Sequence, residues 1–188
     1  PEILEELKER LDAERSHIEI TFPYFLNKAA PATKKKAQID YLCTFVAESN
    51  GSENDFILRV EVPVTSLCPC SKEISSYGAH NQRGYVTIEV RSRKNEAGDW
   101  DFVWIEELIE IAEESASAPL YSLLKREDEK HVTEQAYDNP VFVEDLVRNV
   151  ALRLKEDERM TWYRVKAVNH ESIHAHNAFA IVESPTDR

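Results

Sequence analysis

Apolar residues recur at every second position along three early stretches: Ile18, Ile20 and Phe22; Ile39, Tyr41, Cys43 and Phe45; and Phe56, Leu58, Val60, Val62 and Val64. Side chains alternate across a strand, so this period of two predicts antiparallel strands with one covered face. Ahead of them, Ile3, Leu4, Leu7 and Leu11 share one helical face and predict an amphipathic helix over residues 2–15. The connections 29–36, with Pro31, and 48–54, with Asn50-Gly51, carry turn residues. Val86, Ile88 and Val90 resume the alternation in a strand over 85–90, and the charged stretch 91–101 reads as a surface loop.

Helical spacing returns in Ile105, Leu108, Ile109, Ala112, Ala116, Leu120, Leu123 and Leu124, predicting a helix over 104–126 that Pro119 kinks. Asn139 as cap and Pro140 in the first turn predict the start of another, leading into Val143, Leu146, Val147, Val150 and Leu154. Two strands, around 163–168 and 175–182, close the chain. This order of elements is α+β with a largely antiparallel sheet. Residues 68–82 show no sustained period and are rich in polar side chains, as expected of a functional loop set on a strand end.

Composition narrows the picture. With 188 residues, 42% of them apolar, the chain can fill the core of one ordinary domain or two small ones. No apolar run approaches the roughly 18 residues of a membrane span, and no secretory leader is evident. Three cysteines are too few for a secreted disulfide framework, so a soluble cytoplasmic protein without a membrane partner is expected. A net charge of -12 argues against a nucleic-acid partner, which would be held by clustered Lys and Arg.

Several residues have the chemistry of a site. Cys68 and Cys70 directly follow a predicted strand, and His80 lies twelve residues beyond Cys68. Thiolate and imidazole suit borderline-soft divalent metals, although two core cysteines and a solvated histidine would leave the same pattern. His174 and His176 point to one face if their segment is extended, which is either a metal-site geometry or chance surface placement. Glu129, within Arg126-Glu127-Asp128-Glu129-Lys130, reads on spacing as part of a charged loop. Glu144 sits in a helical first turn that favours any carboxylate.

The string Val64-Thr65-Ser66-Leu67-Cys68-Pro69-Cys70-Ser71-Lys72, followed by Tyr77-Gly78-Ala79-His80-Asn81-Gln82-Arg83, closely resembles the signature of type IB GTP cyclohydrolase I. So do Asp128-Glu129-Lys130, Val132-Thr133-Glu134, Tyr137-Asp138-Asn139-Pro140, Phe142-Val143-Glu144-Asp145 and Glu171-Ser172-Ile173-His174. The resemblance implies a tunnelling fold: two tandem modules, each an antiparallel sheet with a helical layer, in a homotetramer with active sites at subunit interfaces. Residues 1–64 would be the C-terminal part of the first module and 65–188 the second. Family members carry a further N-terminal segment, and this chain is expected to begin within the first module's helix.

The resemblance also assigns roles. Cys68, His80, Glu129 and His174 match the family's ligands for one divalent ion, zinc, manganese or ferrous iron. Cys68 and Glu129 double as catalytic positions, because one of them is expected to yield to water during turnover. Glu144 matches the carboxylate that anchors the guanine of GTP. Ring opening at C8 would release formate and lead to 7,8-dihydroneopterin triphosphate, beginning folate or pterin synthesis, with queuosine as a further destination. Lys72, Arg83, Lys125, Arg126 and Lys130 are candidates for the triphosphate. Two rival readings are a tunnelling-fold nitrile reductase using a nucleophilic cysteine, and a metal-stabilised binding module without turnover.

Overall fold

The computed structural model describes residues 2–51, 53–95, 98 and 100–185. In chain order, α1 (Glu2–Leu11) is followed by β1 (Arg15–Ala29), β2 (Lys36–Asn50) and β3 (Glu53–Leu67). Then come the short α2 (Pro69–Ile74), β4 (Asn81–Ser92), α3 (Ile105–Ser115), β5 (Ala118–Pro119), α4 (Arg126–Asp138) and α5 (Val143–Glu156). Strands β6 (Met160–Asn169) and β7 (Ala178–Glu183) complete the order. The strands form a seven-stranded sheet in the order β1-β2-β3-β4-β6-β7, with β5 beside β3, and every pairing is antiparallel. The fold is therefore α+β, as expected, and the three alternating stretches at the start are β1, β2 and β3.

Period two decides which side of the sheet is covered. Val60, Val62 and Val64 of β3, Val86, Ile88 and Val90 of β4, and Val165 and Ala167 of β6 are buried together. Leu108, Ile109 and Ala112 of α3 and Leu146, Val147, Val150 and Leu154 of α5 close the same core. Leu146 is 1% exposed within this core, and truncating it leaves a cavity in a close-packed interior. Leu146→Ala is expected to lower unfolding stability by about 2–5 kcal/mol, read from the midpoint of a urea titration at unchanged slope.

Four expectations change in detail. The helix over 104–126 stops at Ser115 instead of bending at Pro119. Proline cannot donate to a helical carbonyl and disfavours helix in the residue before it, so Ala118–Pro119 becomes β5, paired with Val64 and Thr65. The charged run 126–130 opens α4: Asp128 accepts from the Lys125 N–H and caps it. Asn139 closes α4, its N–H donating to the Gln135 carbonyl and its side chain to the Ala116 carbonyl, and α5 starts only at Val143. Residues 170–177 form a loop and not the start of a strand, so His174 and His176 stack their rings, 5.3 Å apart, instead of projecting from one strand face.

Two smaller points concern loops. Gly51 adopts φ 68°, which lets the β2–β3 connection turn tightly; Ser52 lies outside the described residues. Of the surface loop at 91–101, residues 96, 97 and 99 also lie outside them. No helix among the described residues is long and apolar enough to cross a membrane.

Candidate active site

The site grows from the end of β3. Cys68 leaves that strand and caps α2, its Sγ accepting from the Ser71 N–H at 3.4 Å, with Pro69 as the first helical residue. The expected loop therefore begins as one and a half helical turns. The Cys68 N–H donates to the His80 carbonyl at 3.1 Å. Ser71 Oγ donates to the Cys68 carbonyl and accepts from the His80 N–H. These bonds hold the thiol and the imidazole segment in a fixed relation before any ligand arrives.

The His80 ring is oriented in turn. Glu171 is a carboxylate that only accepts, so the Gln82 amide nitrogen faces it at 3.3 Å. Gln82 Oε1 then faces His80 Nδ1 at 2.9 Å and accepts its hydrogen. Ser172 Oγ lies 3.2 Å from the same nitrogen. With Nδ1 carrying the proton, Nε2 keeps its lone pair for an electrophile, the arrangement that outer hydrogen bonds impose on metal-binding histidines.

A cleft of about 190 Å³ opens beside this network, lined among others by Ser66, Cys68, Gln82, Glu144, Asn169 and Glu171. The Val141 N–H donates to the Leu67 carbonyl at 3.2 Å and pins the α4–α5 connection to the strand end. That contact sets the first turn of α5, and Glu144 with it, over the cleft. Three of the residues singled out in the sequence thus meet here: Cys68 and Glu144 on the cleft wall and His80 behind it.

The other two are not among the residues that line the cleft. Glu129 is exposed on the first turn of α4, eight residues before Tyr137, which Lys72 of α2 reaches. At ~1.5 Å rise per residue that separation is roughly 12 Å along the helix. His174 is exposed in the loop between β6 and β7, two residues beyond Ser172. Among the described residues, no three His, Cys, Asp or Glu side chains converge closely enough to hold an ion. Of the candidate triphosphate ligands, Lys72 lies over the Tyr137 ring and Lys130 pairs with Glu134 at 3.3 Å. Burial, aided by the charge of Glu106, pushes the Cys43 thiol up to about 11, leaving that third cysteine a protonated core group.

Gln82, Asn169 and Glu171 were not singled out in the sequence. The available signal was positional: Gln82 shares the alternation of Val86 and Ile88, and Asn169 that of Val165 and Ala167. Both are buried polar side chains on an apolar strand face, 9% and 3% exposed, and buried polar groups are the informative exception in a core.

Comparison with known proteins follows the same outline. The family described as type I GTP cyclohydrolase folE2 matches residues 1–180. GTP cyclohydrolase FolE2 of Syntrophus aciditrophicus (strain SB) is 55% identical over 181 residues, 96% of this chain and 68% of that protein. The protein of the same name from Fervidobacterium nodosum is 56% identical over 183 residues, 97% of this chain and 67% of its own length. That from Nitrosococcus oceani is 53% identical over 182 residues, 97% and 66% respectively. The chain thus spans about two thirds of the length of these curated relatives.

Proposed function

This chain belongs to the type I GTP cyclohydrolase folE2 family, and from that membership we propose that it is a type IB GTP cyclohydrolase I. It opens GTP hydrolytically at C8, releases formate and leads to 7,8-dihydroneopterin triphosphate at the start of folate and pterin synthesis. The observation that carries this reading is the cleft that gathers Cys68 and Glu144 against the oriented His80–Gln82–Glu171 network.

Guanine presents N1–H and an exocyclic amine along one edge. A carboxylate accepts both at once, so Glu144 binds and orients the base. The same carboxylate rejects adenine, which offers an acceptor where guanine offers a donor. C8 lies at the end of the purine remote from that edge, and the reading assigns it to the side of Cys68 and His80.

The donor types fit a divalent first-row ion, with a half-buried thiol beside an imidazole whose Nδ1 is already committed to hydrogen bonding. Cys68, His80, Glu129 and His174 would hold it. Bound there, zinc, manganese or ferrous iron supplies Lewis acidity that makes water a competent nucleophile near neutral pH. Among the described residues no three of these side chains converge within one chain, which favours sites completed between subunits of a homotetramer. Ile74, Tyr77 and Ile173 support this, being exposed apolar side chains in the segments that surround the cleft. In this reading the sheet is part of a tunnelling fold, with residues 1–64 ending a first module and 65–188 forming a second, and the enzyme works in the cytoplasm.

The test is turnover. Purified protein incubated with GTP is expected to release formate and generate pterin fluorescence. Chelation is expected to reduce the rate at least ~100-fold, and a divalent ion to restore it. Metal binding without formate release would favour the structural-ion module, and metal-independent consumption of NADPH with a nitrile would favour the reductase.

A further inference from the structure

Gln82 puts an amide on the apolar face of β4 that Val86 and Ile88 share, and it is 9% exposed there. An amide in such a place costs free energy unless both of its ends are bonded. Here they are bonded to different parts of the chain. Oε1 accepts from His80 Nδ1 at 2.9 Å, two residues away, and Nε2 donates to Glu171 at 3.3 Å, 89 residues away in the loop that joins β6 to β7.

That loop carries His174. Its first residues are fastened to the start of β4 at three points. The His170 N–H donates to the Arg83 carbonyl at 2.9 Å, Glu171 accepts from Gln82, and Ser172 Oγ lies 3.2 Å from His80 Nδ1. Past Ser172 the fastening stops. Among the described residues, 173–177 make no hydrogen bond to the rest of the chain, and the ring contact of His174 is with His176 in the same loop. Two residues span at most ~7 Å, so the backbone of His174 stays within that distance of Ser172. Where His174 can reach relative to His80 is therefore set at Glu171 and Ser172.

We propose that Gln82 is a positioning residue for two donors of the ion site at once: one end of its amide turns the His80 ring, and the other holds the loop that brings His174. This rests on the reading of His80 and His174 as ligands. The side chain suits the task because an amide is acceptor and donor together. A carboxylate in its place would repel Glu171, and an aliphatic side chain would hold neither partner. With both bonds made, the loop is held by the chain itself and does not have to be ordered by the ion, so its entropy is not charged against binding.

The test is the affinity of the purified protein for zinc, measured by competition with a chromophoric chelator. Gln82→Leu keeps similar bulk in apolar surroundings and is expected to melt close to the parent while binding zinc 10–100-fold more weakly, on the order that outer hydrogen bonds contribute to metal sites. Exchanging the two side chains, Gln82→Glu together with Glu171→Gln, keeps the net charge and remakes both bonds, since the new carboxylate accepts from His80 and from the new amide. This exchanged pair is expected to bind zinc nearly as the parent does, a recovery that a merely space-filling role for Gln82 does not predict. In a His174→Ala background Gln82→Leu should cost less than it does in the parent, because one of the two donors it places is gone. Parental zinc affinity in Gln82→Leu, no recovery in a folded exchanged pair, or an undiminished cost in the His174→Ala background would overturn the proposal. If instead the parent binds no zinc, or His80→Ala and His174→Ala bind it as the parent does, the ligand reading itself falls.

Discussion

Glu144→Ala is expected to lower kcat/KM for GTP by roughly 100-fold to 10,000-fold while leaving the melting temperature nearly unchanged. Two charge-assisted hydrogen bonds from the base are lost, each worth about 1.5–3 kcal/mol, and each 1.36 kcal/mol is about tenfold in rate. The side chain is exposed on the first turn of α5, so the fold loses only the modest interaction of a carboxylate with a helix N-terminus, about 0.3–1 kcal/mol. Glu144→Gln separates charge from shape, because its oxygen still accepts one hydrogen but its amide nitrogen turns two donors against the base. It should therefore be almost as damaging as alanine. Cys68→Ala is the companion variant, with loss of turnover expected and GTP binding retained, since the thiol sits at the reacting end and not at the base edge. Parental turnover in Glu144→Ala would remove the base-anchoring role.

Much of this was legible in the chain because strand periodicity leaves a clear record. Val60, Val62 and Val64 announced β3, and Val86, Ile88 and Val90 announced β4; these are two of the strands whose ends line the cleft. Helix limits were less legible. Leu120, Leu123 and Leu124 continue the spacing of α3 although Pro119 has already turned the chain into β5, since side-chain periodicity does not register a missing backbone donor. The run 126–130 looked like solvent-facing charge because Asp128 is read as one more acidic residue until its partners in a distant turn are known. The site showed the same division. Cys68, His80 and Glu144 were marked by motif, but Gln82, Asn169 and Glu171 also depend on contacts far apart in sequence, Gln82 with Glu171 at a separation of 89 residues and Asn169 with Ser66 at 103. Glu129 was chosen by resemblance alone, His174 also for the face it was expected to share with His176, and nothing in their spacing along the chain brings either to Cys68.

The same buried Asp128 carries the second large expectation. Its Oδ1 accepts from the N–H groups of Ala32 and Thr33, at 2.9 and 2.8 Å, and its Oδ2 from the Thr33 hydroxyl and the Lys125 N–H, at 2.7 and 2.9 Å. One carboxylate therefore ties the β1–β2 turn to the start of the helix that bears Glu129. Burial works against its ionisation, but the donors of Thr33, Lys125 and Ala32 outweigh burial and hold the carboxyl well below the usual carboxylate range. A folded-state pKa below the unfolded one contributes stability that is fully present above the unfolded value, about 3.9, and is lost as pH falls towards the folded value. Asp128→Asn replaces one acceptor oxygen with a donor that faces existing donors. It is expected to lower the melting temperature at pH 7 by roughly 5 °C or more. The difference from the parent should stay constant from pH 7 to about 5 and shrink below about 4, where the parent loses the ionised advantage. Thermal unfolding of both proteins across that range decides the matter. A gap that widens on acidification, or no gap at neutral pH, would show that the charge on Asp128 does not clamp the turn to α4.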